Sequence, residues 1–265
     1  MNVLEQIAAY TRGRVAEEKQ RVSLSEIQER CQNKKTDNPN PFLSALKKDG
    51  LSFICEIKKA SPSKGIISED FPYLKIAEDY EAAGADCISC LTEPKWFLGS
   101  DVIFQEVRKT VSLPMLRKDF VIDEYQIYQA KALGADAVLL ICALLDTHII
   151  SHYLQICADL GLTAIVETHT AQEISHAVSA GSSIIGVNNR NLKDFSVDFS
   201  NAARLRELIP SSILYVAESV VQNPEDIAKL SAIGADAVLI GEVLMRSSNR
   251  KAMFSAFKGA SYDQN

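Results

Sequence analysis

The sequence predicts an α/β protein built as one closed (βα)8 barrel, a TIM barrel, with an N-terminal helical extension. Three observations carry the prediction: a phrase that returns four times, eight apolar strand-like runs, and polar residues gathered where those runs end. The phrase is a helix-like stretch, Gly, a short polar pair, then a strand. It reads Tyr80-Glu81-Ala82-Ala83-Gly84-Ala85-Asp86-Cys87-Ile88 first, and returns at Gly134-Ala135-Asp136, more loosely at Gly181-Ser182-Ser183, and at Gly234-Ala235-Asp236. Glycine suits the left-handed residue just past a helix. The apolar runs that follow do not alternate, as expected for parallel strands covered on both faces. The glycines recur about every 50 residues, too long for one βα unit and right for two.

Residues 1–50 form the extension, in which Leu4, Ile7, Ala8, Thr11 and Val15 share one helical face. Turn chemistry at Thr36-Asp37-Asn38-Pro39-Asn40-Pro41 leads to a short helix near Phe42 to Lys47. The barrel then occupies about 51–260, inside a single domain spanning 1–265. Its first strand is Phe53 to Lys58. The runs after the four glycines supply four more, and Pro114–Lys118, Leu162–Glu167 and Ile213–Ser219 fill the gaps. A last helix is expected at Ala252 to Ala260, with no further domain after it. The runner-up, a doubly wound open sheet, would more often carry GxGxxG after its first strand, and the sequence has none there.

Composition narrows the function. The 265 residues are 47% hydrophobic and 23% charged, with a formal charge of -6. That charge offers no long-range attraction for nucleic acid or an anionic membrane. The longest apolar run, Ala137 to Leu145, is far too short to cross a bilayer, and Met1 to Gln6 lacks the basic-then-apolar order of a signal peptide. A cytoplasmic monomer is expected. Cys87 and Cys90 form a CxxC inside a strand-like run, where residues three apart face opposite sides, so buried reduced thiols are expected. His148 and His152 are i,i+4 but lack the glutamate of HExxH, while His169 and His176 are expected to be solvated. Neither metal nor organic cofactor is expected.

Ionisable and amide residues close the strands: Glu56 and Lys58 on the first, Lys118 and Asp119 on the third, Glu167 on the fifth. Asn188, Asn189 and Arg190 close the sixth, Glu218 and Ser219 the seventh, and Glu242 follows the eighth. In a barrel the C-terminal strand ends form the active mouth. For any one residue a rim salt bridge is an alternative, but gathering so many charges at one rim is costly without a ligand or function. Two lysines and two glutamates there suit proton transfer, with burial and neighbouring carboxylates pulling a lysine pKa in opposite directions. The loop Ala60-Ser61-Pro62-Ser63-Lys64-Gly65 reads either as a lid over an anionic substrate or as an ordinary βα connection. Ser219 and Gly241 fall where such barrels commonly hold phosphate.

Several stretches together resemble one family. They are Glu56-Ile57-Lys58-Lys59-Ala60-Ser61-Pro62-Ser63-Lys64-Gly65, Leu91 to Ser100, Leu116-Arg117-Lys118-Asp119-Phe120, Val166-Glu167, Gly186 to Leu192, Val216-Ala217-Glu218-Ser219 and Leu239 to Arg246. The chain is similar to the indole-3-glycerol-phosphate synthases of tryptophan biosynthesis from its N-terminal helix to about residue 246. The resemblance implies a small-molecule substrate, 1-(2-carboxyphenylamino)-1-deoxyribulose 5-phosphate, closed to an indole with loss of carbon dioxide and water. It implies Lys118 as general acid, Glu167 and Asn188 beside the reacting oxygens, and Glu56 with Lys58 completing dehydration, with Ser219 added to this catalytic set. Phe97, Phe120, Pro62, Leu139 and Leu192 would form the ring slot, and Arg190 with Ser61 would take the carboxylate. Val220, Gly241 and Glu242 complete the implied binding set. Val220 departs from the glycine usual in the family; valine disfavours positive φ and adds bulk, so a looser phosphate site and a higher KM are expected. Phosphoribosylanthranilate isomerase and the tryptophan synthase α subunit lack the Lys-Lys-Ala-Ser-Pro-Ser signature. The remaining alternative is an inactive homologue kept as a binding or regulatory partner.

Overall fold

The computed structural model describes residues 2–32, 40–190 and 199–262; the turn residues expected at 36–39 and Leu192 lie outside them. Eight parallel strands close into a barrel: β1 (Ser52–Ile57), β2 (Cys87–Leu91), β3 (Met115–Lys118), β4 (Ala137–Ile141), β5 (Thr163–Thr168), β6 (Ile184–Asn188), β7 (Leu214–Glu218) and β8 (Ala237–Ile240). Each strand pairs with its successor in sequence, and closure comes where Ser52 of β1 stands beside Ala237 of β8. Helices α4 (Tyr73–Ala83), α5 (Asp101–Thr110), α6 (Tyr125–Leu133), α7 (Thr147–Asp159), α8 (Ala171–Ser179), α9 (Phe199–Arg206) and α10 (Pro224–Ala232) follow β1 to β7 in turn. A short α11 (Glu242–Arg246) and α12 (Arg250–Tyr262) follow β8.

The repeated phrase has a backbone explanation. Gly84 and Gly134 end α4 and α6 with φ of 89° and 90°, a conformation that strains any residue with a Cβ. The aspartate two residues on then ties neighbouring strands together. Phe53 N–H donates to Asp86 Oδ2 at 2.8 Å, Met115 N–H to Asp136 Oδ2 at 2.8 Å, and Tyr215 N–H to Asp236 Oδ2 at 2.7 Å. Each carboxylate thus satisfies a donor at the start of the preceding strand.

Side-chain alternation sorts the strands into two cores. Ile54, Leu116, Leu139, Ile165, Ile184, Val216 and Leu239 point inward into one cluster, while Phe53, Cys55 and Ile57 join a larger one between strands and helices. Before the barrel come α1 (Val3–Arg21), α2 (Leu24–Gln32) and α3 (Pro41–Leu46). Phe42 and Leu46 of α3 belong to the inner cluster, and Ser52 Oγ donates to the Ala45 carbonyl at 3.2 Å. The short helix therefore stoppers the N-terminal end of the barrel.

The expected face of α1, Leu4, Ile7, Ala8, Thr11 and Val15, is the buried one. Helix α2 was not apparent in the sequence. Val22 ends α1 in extended backbone, and Ser23 restarts the chain: its N–H donates to Glu26 Oε2 at 2.7 Å and its Oγ accepts from Glu26 N–H at 3.3 Å. Val15, Ile27 and Tyr125 then pack α1 and α2 against α6. All six cysteines are buried thiols outside any disulfide; Cys87 lies in the inner core and Cys90 in the outer, so the CxxC is split by the sheet. Among the described residues no helix is long and apolar enough to cross a membrane.

Candidate active site

The inward rows of the barrel turn polar in their last layer. Two residues beyond Ile54, Leu116, Ile165 and Val216 on the same face stand Glu56, Lys118, Glu167 and Glu218. Asn188 completes the layer on β6, four residues past Ile184. Glu56, Glu167 and Glu218 are all buried, with Glu218 only 1% exposed. Lys118 Nζ donates to Glu218 Oε2 at 2.6 Å and lies 3.4 Å from Glu167 Oε2. Asn188 Nδ2 donates to Glu167 Oε1 at 3.3 Å. Lys58 closes the layer by ion pairing with Glu56 Oε2.

Three carboxylates here face two ammonium groups, and that imbalance decides protonation. Burial alone would lower the Lys118 pKa, but Glu218, Glu167 and Glu56 outweigh it and hold the ammonium charged. Glu218 moves the other way. Burial foremost, with Glu167 and Glu56 adding repulsion against the pull of Lys118, pushes its pKa up to about 7. Its Oε1 is buried without a hydrogen-bond partner, as suits a carboxyl that keeps a proton part of the time. The layer therefore offers a charged donor, Lys118, beside a group able to take or give a proton near neutrality.

A cavity of about 810 Å³ opens above this layer. It is lined by every candidate named from the sequence that lies among the described residues: Glu56, Lys58, Ser61, Pro62, Phe97, Lys118, Phe120, Leu139, Glu167, Asn188, Arg190, Ser219, Val220, Gly241 and Glu242. Phe97 and Phe120 stand 5.8 Å apart between ring centroids, an apolar wall facing Leu139 and Leu239. Phe97 is held by an internal carboxylate: fully buried Glu93 accepts the N–H groups of Lys95, Trp96 and Phe97 at 2.9, 2.7 and 2.9 Å. The loop after β1 is a small antiparallel hairpin, Ala60–Ser61 against Gly65–Ile66, anchored by Ala60 N–H donating to the Phe97 carbonyl at 3.2 Å. Beside that hairpin, directly after β8, Glu242 collects three cations, Arg246 at 3.2 Å, Arg190 at 3.6 Å and Lys64 at 3.7 Å.

Some expectations change. His169 is not solvated: its side chain is 15% exposed and lies between Glu167 and Glu173. Its position directly after β5 carries it under the rim. Val220 does not take positive φ; Phe71, Leu98 and Ser219 are the described non-glycine residues that do, with Ser219 at 63°. The conformational argument thus belongs to Ser219, while the Val220 side chain, 3% exposed, packs into the outer core as well as lining the cavity. Gly241, read as leaving room for phosphate, also leaves room for the Glu56–Lys58 pair: a Cβ there would collide with Glu56 Oε2 and crowd Lys58 Nζ at 3.2 Å, so those side-chain ends would have to shift. Glu218 was read as a strand-end residue but not as a candidate; its shared parity with Val216 was the available signal. Val3, Leu4 and Ile7 of α1 also line the cavity, a contribution invisible to any pattern within the repeat.

A closed barrel whose C-terminal mouth holds a buried, charge-paired layer beneath an apolar wall defines a (βα)8-barrel enzyme of acid–base chemistry. Solved structures of like shape share the fold at low identity. The 3-hexulose-6-phosphate synthase of Salmonella typhimurium has a TM-score of 0.67 at 9% identity, covering 81% of this chain and 100% of that one. Thiamine phosphate pyrophosphorylase of Pyrococcus furiosus gives 0.60 at 14%, covering 80% and 96%. Sequence comparison is more specific. The family model for indole-3-glycerol phosphate synthase matches residues 4–257. The enzyme of that name from Ruminiclostridium cellulolyticum is 55% identical over 97% of this chain and 99% of its own length. The one from Lacticaseibacillus casei is 48% identical over 97% and 98%. The chain belongs to the indole-3-glycerol phosphate synthase family.

Proposed function

We propose that the mouth binds 1-(2-carboxyphenylamino)-1-deoxyribulose 5-phosphate and converts it to indole-3-glycerol phosphate. The ring carbon bearing the carboxylate attacks the sugar ketone as the carbonyl oxygen takes a proton; carbon dioxide then leaves, and loss of water forms the indole. The observation that carries this reading is Lys118, an ammonium held charged by Glu218 and Glu167 beside an apolar wall. A charged lysine in that place is a ready donor to a developing alkoxide. Asn188 and Glu167 are hydrogen-bonded to each other beside it and would orient the reacting oxygens. Glu56 and Lys58, paired across the same layer, are assigned to dehydration, where a proton leaves carbon and one reaches the departing hydroxyl.

The two anionic ends call for separate anchors. Arg190, which lines the same cavity as Ser61, would offer a planar fork for the carboxylate, and Ser219 and Gly241 would take the phosphate. Nothing in the layer favours a retained, inactive binding partner: its acid–base residues are present and mutually paired. We further propose that the protein acts as a monomer, because one chain supplies every wall described, and that it resides in the cytoplasm, where six unbridged thiols stay reduced.

Supplying the anilino sugar phosphate and following indole fluorescence tests the assignment. The parent protein should turn over, and Lys118→Ala should lose about a thousandfold or more in kcat. A silent parent, or an equally active alanine variant, would overturn it.

A further inference from the structure

Glu167 is gripped from both sides. Lys118 and Asn188 face it from the barrel interior, while a residue outside the layer faces it from behind. His169 Nε2 lies 3.6 Å from Glu167 Oε1 and His169 Nδ1 lies 3.4 Å from Glu173 Oε2. The Nε2 atom is buried without a hydrogen-bond partner, so its nearest charged neighbour is the Glu167 carboxylate. The far end is fixed by backbone. Thr170 caps α8 by accepting from Glu173 N–H at 3.2 Å, and Glu173 in turn accepts the His169 N–H at 2.5 Å. The imidazole is thereby set between two carboxylates, one on the strand that bears the site and one on the helix that follows it.

We infer that His169 is a positioning residue for the proposed reaction, one that acts through Glu167 with Glu173 fixing the imidazole. In its charged form His169 orients Glu167 toward Lys118 and Asn188, leaving Lys118 as the group that carries the transferable proton. The charged and titratable groups around His169 are Glu167 on β5, Glu173 on α8, Glu218 on β7 and, beyond Glu167, Lys118 on β3. Cys142, following β4, approaches Glu173 through its Sγ and its thiol is shifted up by burial, so it remains neutral. Desolvation disfavours the imidazolium, yet the Glu173 hydrogen bond and the surrounding carboxylates outweigh it, so His169 gains protons more readily than an exposed histidine. The inference rests on the proposed reaction for its kinetic consequence but not for its electrostatic one.

Two measurements separate these. In histidine-labelled protein without substrate, the NMR titration of His169 should lie above that of a free histidine in the same buffer, and Glu167→Gln and Glu173→Gln should each lower it by about one pH unit. In turnover of the anilino sugar phosphate, His169→Asn should cut kcat about tenfold with little change in KM. It should also move the acid limb of the pH profile up by about one unit, because Glu167 loses its cationic neighbour. Glu173→Gln, further from the cavity, should move the same limb the same way by less, and decides the matter should His169→Asn fail to fold. His169 titrating no higher than a free histidine, or a Glu173→Gln profile that overlays the parent, would overturn the inference. A parent that does not turn over defeats the proposed reaction instead, while the titrations still decide whether His169 is coupled to Glu167.

Discussion

Glu218 shows how one residue can be placed for chemistry at a cost to stability. Its pKa rises from an ordinary 4.5 to about 7, so between those values the folded protein binds a proton that the unfolded chain has released. Stability from this group is full below about 4.5 and is lost as pH rises through about 7. Glu218→Gln should therefore gain stability relative to the parent by about 2–3 kcal/mol more at pH 8 than at pH 5, while lowering turnover. Denaturant unfolding at both pH values checks the sign; equal shifts would count against it. The residue was readable in principle from alternation alone, since Val216 and Glu218 must share a face. His169 was not, because nothing in a lone histidine after a strand tells which carboxylates the fold will bring beside it.

At the scale of elements, the N-terminal extension does more than cover the barrel. Arg14 of α1 donates to both oxygens of Asp119, at 2.9 and 2.8 Å, and Asp119 directly follows Lys118 and precedes Phe120. Asp119 is fully buried and also faces Arg117 at 3.3 Å. Burial would raise the Asp119 pKa, but the two arginines and the Phe120 N–H bring it below its usual value. Arg14→Ala leaves a buried carboxylate with one cation instead of two. The expected loss is about 2 kcal/mol, with KM rising more than kcat falls, because Val3, Leu4 and Ile7 then wall the cavity less firmly. Thermal unfolding with steady-state kinetics measures both. The amphipathic face of α1 was legible in its apolar spacing. Its partner was not, because an Arg14–Asp119 contact spans more than 100 residues of sequence and leaves no local pattern.

Across the whole molecule the residues that make the barrel and those that line its mouth separate cleanly. Glycine and aspartate in the repeat tie the starts of the strands, and the polar layer occupies their ends. That division is why the architecture could be read from a recurring phrase while the pairings within the layer could not. Repetition reports the scaffold, and the reactive layer differs on every strand. Because β1, β3, β5, β6, β7 and the loops after β2 and β8 all reach one cavity, a ligand held there stabilises the closed sheet as a unit. Substrate analogue at about 100 times its Kd should add about 2.7 kcal/mol and raise Tm by roughly 5–10 °C. A thermal shift series over analogue concentration tests this, and a Tm that stays constant would deny the site.

Gly186, midway along β6, has no side chain to contribute, yet a methyl group there would occupy the space of Glu218 Oε1 and press on Ile165 Cγ2 at 3.0 Å. The vacancy on one strand is thus the berth of an acid on the next. Alanine at this position would suit an extended strand better than glycine by backbone preference and still leave a folded protein with the Glu218 carboxyl dislodged. A survey of variants ranked by expression would pass Gly186→Ala, whereas one ranked by turnover would reject it.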